Sequence, residues 1–219
     1  MKKVSEPTVG RLSLYLRVLT ELGESGVGTV SSEELARRAG TTAAQVRKDL
    51  SIFGTFGKRG LGYPVDALTE ELRRILGLGR RWRVALVGAG RIGRALFGYQ
   101  DFRRQGFYIE AVFDRDEAKV GQEWNGLVVR SDAELEKALA EEEIDIVIVA
   151  VPAEAAQGVV DRVVRAGVRG ILNFAPVKLH VPPDVALKTV NMAVELESLS
   201  YALANGLAVS RRRGRANRE

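Results

Sequence analysis

The stretch from Trp82 to Gly93 reads W-R-V-A-L-V-G-A-G-R-I-G and decides the fold of this chain. Its apolar residues 84–87 predict a short strand, its glycines predict a tight turn, and the apolar spacing that follows predicts a helix. Gly88 permits the turn, Gly90 lets a pyrophosphate approach the backbone, and Gly93 lets the helix pack on the strand. We therefore expect a dinucleotide site built by Gly88, Ala89, Gly90, Arg91, Ile92 and Gly93.

An acidic residue stands where such a site needs one. The next predicted strand, Tyr108 to Phe113, ends in Asp114, 21 residues after Gly93. A carboxylate at this distance holds the hydroxyls of the adenosine ribose, and the adjacent Arg115 is expected to line the same site. A strand-to-helix turn followed by a surface aspartate is the structural alternative.

Strands and helices continue to alternate as far as residue 190, which predicts a parallel sheet covered on both faces. Pro152 and Asn173 follow two of its strands, at the carboxyl edge where open α/β proteins hold ligands. We include both in the predicted NAD(H) site, although loop geometry alone also explains them.

Composition excludes several classes of chemistry. The chain of 219 residues has no cysteine, so disulfides, thiolate metal sites and cysteine catalysis are excluded. Its one histidine, His180, has no clustered partners for a metal site or a catalytic triad, and we expect neither metal nor catalytic residues. No apolar run is long enough to span a bilayer and the first residues lack a signal-peptide pattern, so we expect a cytoplasmic protein.

Charge is distributed unevenly along the chain. Residues 1–80 carry 13 basic and 9 acidic side chains, residues 81–209 carry 15 and 18, and residues 210–219 carry 5 and 1. A basic segment ahead of an acidic nucleotide-binding segment indicates two functions, one of which involves binding a polyanion.

Residues 1–80 contain the pattern of a helix-turn-helix. A first helix is predicted from Thr8 to Leu22. Ser31 and Glu34 have capping-box spacing before a short helix that stops at Gly40, and Thr42 and Gln45 repeat that spacing before another helix. Two short helices joined by a tight glycine turn, the second capped and basic, are typical of DNA-binding domains.

The second of these helices presents side chains suited to DNA. With Val46 and Leu50 in the core, the outer residues are Gln45, Arg47, Lys48 and Ser51. Arginine and lysine donate to guanine, glutamine pairs with adenine, and serine binds phosphate. An ordinary solvated helix face is the alternative, which the tandem capped helices disfavour.

The glycine-rich stretch after this helix contains Lys58 and Arg59 and predicts a wing or flexible arm. Glycine lets the backbone lie against phosphates, and Arg59 suits a narrow minor groove; a solvated loop is the alternative. A further helix, Asp66 to Leu76, and the linker 77–81 follow.

The last predicted helix, Asn191 to Ala204, has apolar residues around most of its circumference. A helix of this kind needs burial on several sides, which a single sheet does not supply. We expect it to form a dimer interface, packing within the same subunit being the alternative. The tail 207–219 is a basic block without periodicity, which predicts disorder.

Together, Q-V-R-K-D-L-S-I-F-G, G-K-R-G-L-G-Y, G-A-G-R-I-G, I-L-N-F-A-P and A-V-E-L-E-S-L resemble the Rex family of redox-sensing transcriptional repressors. The resemblance implies a homodimer that binds an inverted-repeat operator, senses the NADH to NAD⁺ ratio and exchanges its C-terminal helix between subunits. It also implies an interdomain switch formed by Arg17, Tyr99 and residue 191, where relatives generally carry aspartate and this chain has Asn191.

The predicted fold class is α/β. We expect a winged helix-turn-helix DNA-binding domain at 1–80, a Rossmann NAD(H)-binding domain at 81–190, a domain-swapped dimerisation helix at 191–206 and the tail at 207–219. The leading hypothesis is a repressor without enzymatic activity that releases its operator when NADH binds. An NAD-dependent dehydrogenase with a helical extension is the main alternative, but the Rossmann segment leaves no room for a substrate domain. A module that binds CoA or an acyl nucleotide is the third, because fold alone does not choose the ligand.

Overall fold

The computed structural model describes residues 4–57 and 60–205, and the chain divides into two compact units between Arg81 and Trp82. Residue 206, at the end of the predicted dimerisation segment, and the predicted tail 207–219 lie outside the described residues. The described part of the first unit contains α1 (Glu6–Glu24), β1 (Thr29–Val30), α2 (Ser32–Ala39), α3 (Ala43–Ser51), β2 (Tyr63–Pro64) and α4 (Val65–Ile75).

Local hydrogen bonds begin the helices of the first unit where the capping pattern predicted them. The Ser31 hydroxyl accepts the N–H of Glu34 at 3.1 Å, and the Thr42 hydroxyl accepts the N–H of Gln45 at 3.2 Å. Gly40 ends α2 in the left-handed conformation, with φ of 69°. The tight turn between α2 and α3 thus follows from residues close together in sequence.

One hydrophobic core joins the helices of this unit. The apolar stripe of α1 is buried, as its spacing predicted, and α1 packs against α2 and α4. Val46 and Leu50 of α3 are at most 2% exposed and lie in the same core. The opposite face of α3 is therefore left to solvent.

The glycine-rich stretch leads into a small antiparallel sheet. β1 pairs with β2, with Val30 opposite Tyr63. A side chain at Gly62 would collide with the Val30 carbonyl, and one at Gly57 would collide with the Gly62 carbonyl. Both positions require glycine, because the backbone at Gly57 lies against Gly62 and the backbone at Gly62 lies against β1.

The second unit is a sheet of seven strands in the order β5-β6-β4-β3-β7-β8-β9, parallel except for β5. The strands are β3 (Trp82–Val87), β4 (Phe107–Asp114), β5 (Glu123–Trp124), β6 (Leu127–Ser131), β7 (Ile146–Val149), β8 (Gly170–Asn173) and β9 (Ala186–Thr189). From β3 the chain first adds β4, β5 and β6 on one side of the sheet. It then returns to place β7 on the other side of β3, followed by β8 and β9. This reversal is the feature at which doubly wound sheets bind dinucleotides.

The described helices of the second unit are α5 (Arg91–Phe97), α6 (Gln100–Arg104), α7 (Leu135–Glu141), which follows the 3₁₀ turn Asp132–Glu134, α8 (Ala153–Arg165) and α9 (Met192–Ala204). The helical segment that follows the fingerprint is two helices, interrupted at Gly98 and Tyr99. In the apolar run from Ile144 to Val151 the regular strand is β7 alone, although the N–H groups of Asp145 and Ala150 on either side of it still donate to carbonyls of β3, at 2.9 and 2.8 Å.

The last helix, α9, has no buried residue within its own chain. Six of its apolar side chains are between 48% and 70% exposed: Met192, Val194, Leu196, Leu199, Tyr201 and Leu203. Packing within the same subunit, the alternative considered for this helix, is therefore absent among the described residues.

Candidate functional site

The fingerprint glycines shape a turn where the sheet reverses direction. Gly88 follows β3 with φ of 106°, and a side chain there would collide with the Ala150 carbonyl after β7. A methyl group at Gly93 would collide with the Gly88 carbonyl. These close approaches bring β3, β7 and the start of α5 together at the carboxyl edge of the sheet, and they explain two of the glycines.

The start of α5 faces out of this turn. Gly90 caps the helix, and a side chain there would meet no atom within 4 Å. The N–H groups of the first helical turn, from Arg91 onward, have no acceptor within the helix and carry partial positive charge. Arg91 and Ile92 are exposed at this end, so the turn offers amides, open space and a cation to an anion.

Asp114 lies at the end of β4 and holds the turn in place. Its carboxylate accepts the N–H of Ala89 at 2.7 Å and that of Asp116 at 2.8 Å. Lys119 contacts the same carboxylate at 3.3 Å. Burial opposes the charge on Lys119, but its hydrogen bonds to Asp114 and Asp116 outweigh that effect and raise the pKa of the lysine. The carboxylate thus binds the fingerprint loop directly, through the Ala89 N–H.

A cavity of about 680 Å³ opens between this carboxylate and α8. Gly88, Asp114, Arg115 and Pro152 line it, which brings together predicted residues from three separate strands. Its far wall contains Arg162, whose guanidinium donates to Glu136 at 2.7 and 2.6 Å. That pairing lowers the pKa of Glu136 to about 2. A cavity of this size with an apolar floor and charged rim suits a nucleotide.

Asn173 is a predicted site residue that lies outside the lining of this cavity, as do residues 89–93 of the fingerprint turn. It is 0% exposed and does not line the cavity. Its side-chain amide donates to the Ala175 carbonyl at 3.0 Å, and its oxygen accepts the Ala175 N–H at 2.8 Å. With its amide hydrogen-bonded to the loop after β8, Asn173 braces the edge of the sheet.

On the outer face of α3, Lys48 and Ser51 are exposed, as predicted, and the Ser51 hydroxyl donates to the Lys48 carbonyl at 2.7 Å. Arg47 is held across the turn, where it donates to Ser32 at 2.7 Å and Glu33 at 3.2 Å. A backbone hydrogen bond, assisted by Ser32 and Arg47, lowers the pKa of Glu33. The guanidinium is therefore oriented toward the start of α2 and the wing.

Gln45 is half-buried, and its partner, Asp49, was not among the predicted site residues. Its amide donates to Asp49 at 2.8 Å. The Asp49 carboxylate also accepts hydrogen bonds from Arg11 and Tyr15 of α1. Asp49 follows Val46 by three residues, so helical spacing alone places it on the core face of α3. That position was the available signal for a buried polar network.

The remaining predicted residues are distributed as follows. Lys58 and Arg59 lie outside the described residues. Arg17 is exposed on α1, and Tyr99 is 49% exposed with its hydroxyl 3.2 Å from Asp101. Asn191 caps α9 by accepting the N–H of Ala193 at 3.1 Å.

Within residues 4–57 and 60–205, no group of three or more histidine, cysteine, aspartate or glutamate side chains is placed to hold a metal ion. In the same ranges no helix has the length and apolar character needed to cross a membrane.

Comparisons with known proteins agree with this arrangement. Residues 3–51 match a family model described as "Putative DNA-binding protein N-terminus", and residues 80–177 match one described as "CoA binding domain". The redox-sensing transcriptional repressor Rex of Carboxydothermus hydrogenoformans is 48% identical over 91% of this chain and 96% of its own. Rex of Chloroflexus aurantiacus is 48% identical over 90% of this chain and 92% of its own.

Solved structures give the same result. The crystal structure of RSP, a Rex-family repressor, covers 94% of this chain and 97% of its own at 37% identity with a TM-score of 0.86. A second, of RSP in complex with NAD⁺ and operator DNA, covers 99% of this chain and 100% of its own at 36% identity with a TM-score of 0.90. A third contains RSP in complex with NADH. Identity near one half over nearly the full length of both chains shows that this chain belongs to the Rex family of redox-sensing transcriptional repressors.

Proposed function

We propose that this protein is a transcriptional repressor that binds an inverted-repeat operator as a homodimer and releases it when NADH binds. The observation that carries the proposal is the combination in one chain of a capped helix-turn-helix with a wing and a fingerprint turn beside a nucleotide-sized cavity. It acts in the cytoplasm, where operator DNA and NAD(H) are both present.

The second unit holds the cofactor. The pyrophosphate lies against the start of α5, where Gly90 leaves space, and the adenosine ribose donates to Asp114. Arg115 and Pro152 border the adenosine end of the cavity. In support, the similar RSP structures contain NADH in one case and NAD⁺ in another.

The first unit binds DNA through α3 and the wing. Arg47, Lys48, Gln45 and Ser51 enter or border the major groove, while Lys58 and Arg59 contact the backbone or the minor groove. One unit meets one half-site, so an inverted repeat requires two copies with their α3 helices about 34–36 Å apart or a multiple of that distance.

The second copy covers α9. Its exposed apolar residues, from Met192 to Leu203, surround the helix and have no packing partner among the described residues of their own chain. Exchange of this helix between subunits buries them, which connects cofactor binding to the arrangement of the DNA-binding units.

Release of the operator follows from linkage. NADH and NAD⁺ differ by a hydride and by the charge on the nicotinamide, and an apolar surrounding disfavours the cation. If NADH favours an arrangement that does not match successive major grooves, operator DNA weakens NADH binding by the same factor, typically about 5-fold to 150-fold.

A gel shift with genomic operator fragments, with and without NADH, tests the proposal. We expect retarded DNA that is released by NADH and much less by NAD⁺. Absence of any retarded fragment, or release by neither nucleotide, would overturn it.

CoA is the second candidate ligand, favoured by the name of the family model that matches residues 80–177. Fluorescence titrations with NADH, NAD⁺ and CoA separate the ligands, and tight binding of CoA alone would replace NAD(H) in the proposal. The Rex relatives carry the names of repressors and not of enzymes, which argues against the dehydrogenase alternative. An NADH oxidation assay is therefore expected to show no turnover.

A further inference from the structure

The DNA-binding unit contains a buried carboxylate for which the proposed function has no role. The Asp49 side chain, on the inner face of α3, is 1% exposed. Arg11 of α1 grips it with two hydrogen bonds, from Nε to Oδ2 at 2.6 Å and from Nη2 to Oδ1 at 2.7 Å. A buried charge is tolerated only when it is paired and hydrogen-bonded, and this one is both.

Two more donors complete its surroundings. The Tyr15 hydroxyl donates to Oδ2 at 2.9 Å, and the Gln45 amide donates to Oδ1 at 2.8 Å. Each carboxylate oxygen thus accepts two hydrogen bonds. Burial acts to raise the pKa of Asp49, but the bonds from Arg11, Gln45 and Tyr15 outweigh it and lower the pKa. The group is ionised at neutral pH.

This network fixes what the hydrophobic core leaves free. Val46 and Leu50 bury α3 through contacts that have no preferred direction, so they allow the helix to rotate slightly about its axis. A bidentate pair between arginine and a carboxylate has a fixed geometry, and here it joins α3 to α1. The rotation of α3, and hence the direction of its outer face, is set by Asp49.

The network also orients the amide of Gln45. An ionised carboxylate only accepts hydrogen bonds, so the nitrogen of Gln45 must face Asp49 and the oxygen Oε1 must lie on the other side. Gln45 is the third residue of α3, in the part of a recognition helix that meets base edges. A free glutamine pairs with adenine through both N6 and N7, whereas Gln45 offers its oxygen first.

We propose that Asp49 is a positioning residue for DNA recognition, which directs the Gln45 oxygen to accept from the exocyclic amino group of one base. That base is adenine, through N6, or cytosine, through N4. The inference rests on the proposed DNA binding and adds a chemical reason for preference at one operator position.

The test uses the full-length protein, the operator fragment from the gel shift and a random duplex of the same length. Asp49→Asn keeps the shape of the side chain and removes the charge. Glu34→Gln is the matched control, because Glu34 is likewise paired with arginine in this unit but lies on α2 with its side chain 34% exposed. Operator duplexes with purine in place of single adenines, or with cytosines lacking the amino group, locate the base.

We expect the wild type and Glu34→Gln to lose about fivefold to tenfold in affinity when one particular amino group is removed from each half-site. Asp49→Asn should lose that sensitivity and bind the intact operator about tenfold more weakly, with affinity for the random duplex changed less than twofold. Gln45→Ala, which leaves the buried pair intact, should lose the same sensitivity and keeps the test decisive if Asp49→Asn fails to fold.

Two outcomes overturn the inference while DNA binding stands. One is folded Asp49→Asn with the wild-type ratio of operator to random affinity, and the other is Gln45→Ala with unchanged sensitivity to every amino group. Failure of the wild type to retard any fragment would instead remove the proposed function, so the two failures are distinguishable.

Discussion

Alanine substitutions at Gly93 and Gly90 separate the two uses of glycine in the fingerprint. At Gly93 the added methyl would lie well inside 3.0 Å of the Gly88 carbonyl oxygen and 3.1 Å from its carbon. Both atoms belong to the backbone and have no rotamer to escape into. At Gly90 the added methyl would meet no protein atom within 4 Å, and the φ of −77° suits any residue.

The expected magnitudes follow from this contrast. Because the overlap is with backbone atoms, overpacking at Gly93 costs about 2–3 kcal/mol, the upper part of the usual range, and the better helix propensity of alanine offsets about 1 kcal/mol of it. The free energy of unfolding of the second unit should therefore fall by about 1–2 kcal/mol, which lowers its melting temperature by about 3–8 °C. Gly90→Ala should melt within about 2 °C of the wild type, since it touches nothing.

Gly90→Ala, the variant with the smaller effect on stability, should show the larger loss of NADH affinity. In Gly90→Ala the methyl occupies space that the pyrophosphate needs, so NADH should bind about 5-fold to 150-fold more weakly despite normal stability. Differential scanning calorimetry without cofactor and NADH fluorescence titration measure the two effects. Wild-type NADH affinity in Gly90→Ala, or a wild-type melting temperature in Gly93→Ala, would refute the reasoning.

Three further predictions address the dimer, the ribose and the switch. Truncation after Val190 removes α9 and should yield monomers in sedimentation velocity, because we propose that a second copy covers the exposed apolar surface of α9; a stable truncated dimer would contradict this assignment. Asp114→Ala should narrow the preference for NADH over NADPH in competitive titration, since its carboxylate repels a 2′-phosphate; equal wild-type affinities would remove the ribose role. Asn191→Asp should lower the NADH concentration that releases operator DNA, measured by fluorescence anisotropy, because a charge-assisted hydrogen bond between residue 191 and Arg17 is about twice as strong as a neutral one. Arg17→Ala should abolish that gain. An unchanged NADH concentration at half release in Asn191→Asp would refute the role of residue 191 in the interdomain switch.

Elements specified by neighbouring residues were predicted well. The caps at Ser31 and Thr42 are bonds across three residues, so their spacing in sequence already contains their geometry. The strand, turn and helix around Gly88 depend likewise on a short run, in which Gly88 has a positive φ and Gly93 lies against the Gly88 carbonyl. The parallel order of the sheet followed from alternation along the chain.

What only the tertiary structure decided depends on residues far apart in sequence. Pairing of β1 with β2 joins positions separated by more than 30 residues, and two-residue strands leave no periodic signal. Asn173 stands at the expected edge of the sheet, yet the fold turns its amide into the loop after β8. Asp49 reads as a polar residue on an apolar helix face until α1 supplies Arg11 and Tyr15. Sequence thus determined the local hydrogen bonds and the order of the elements, whereas the direction of each polar side chain was set by partners that only folding brings within reach.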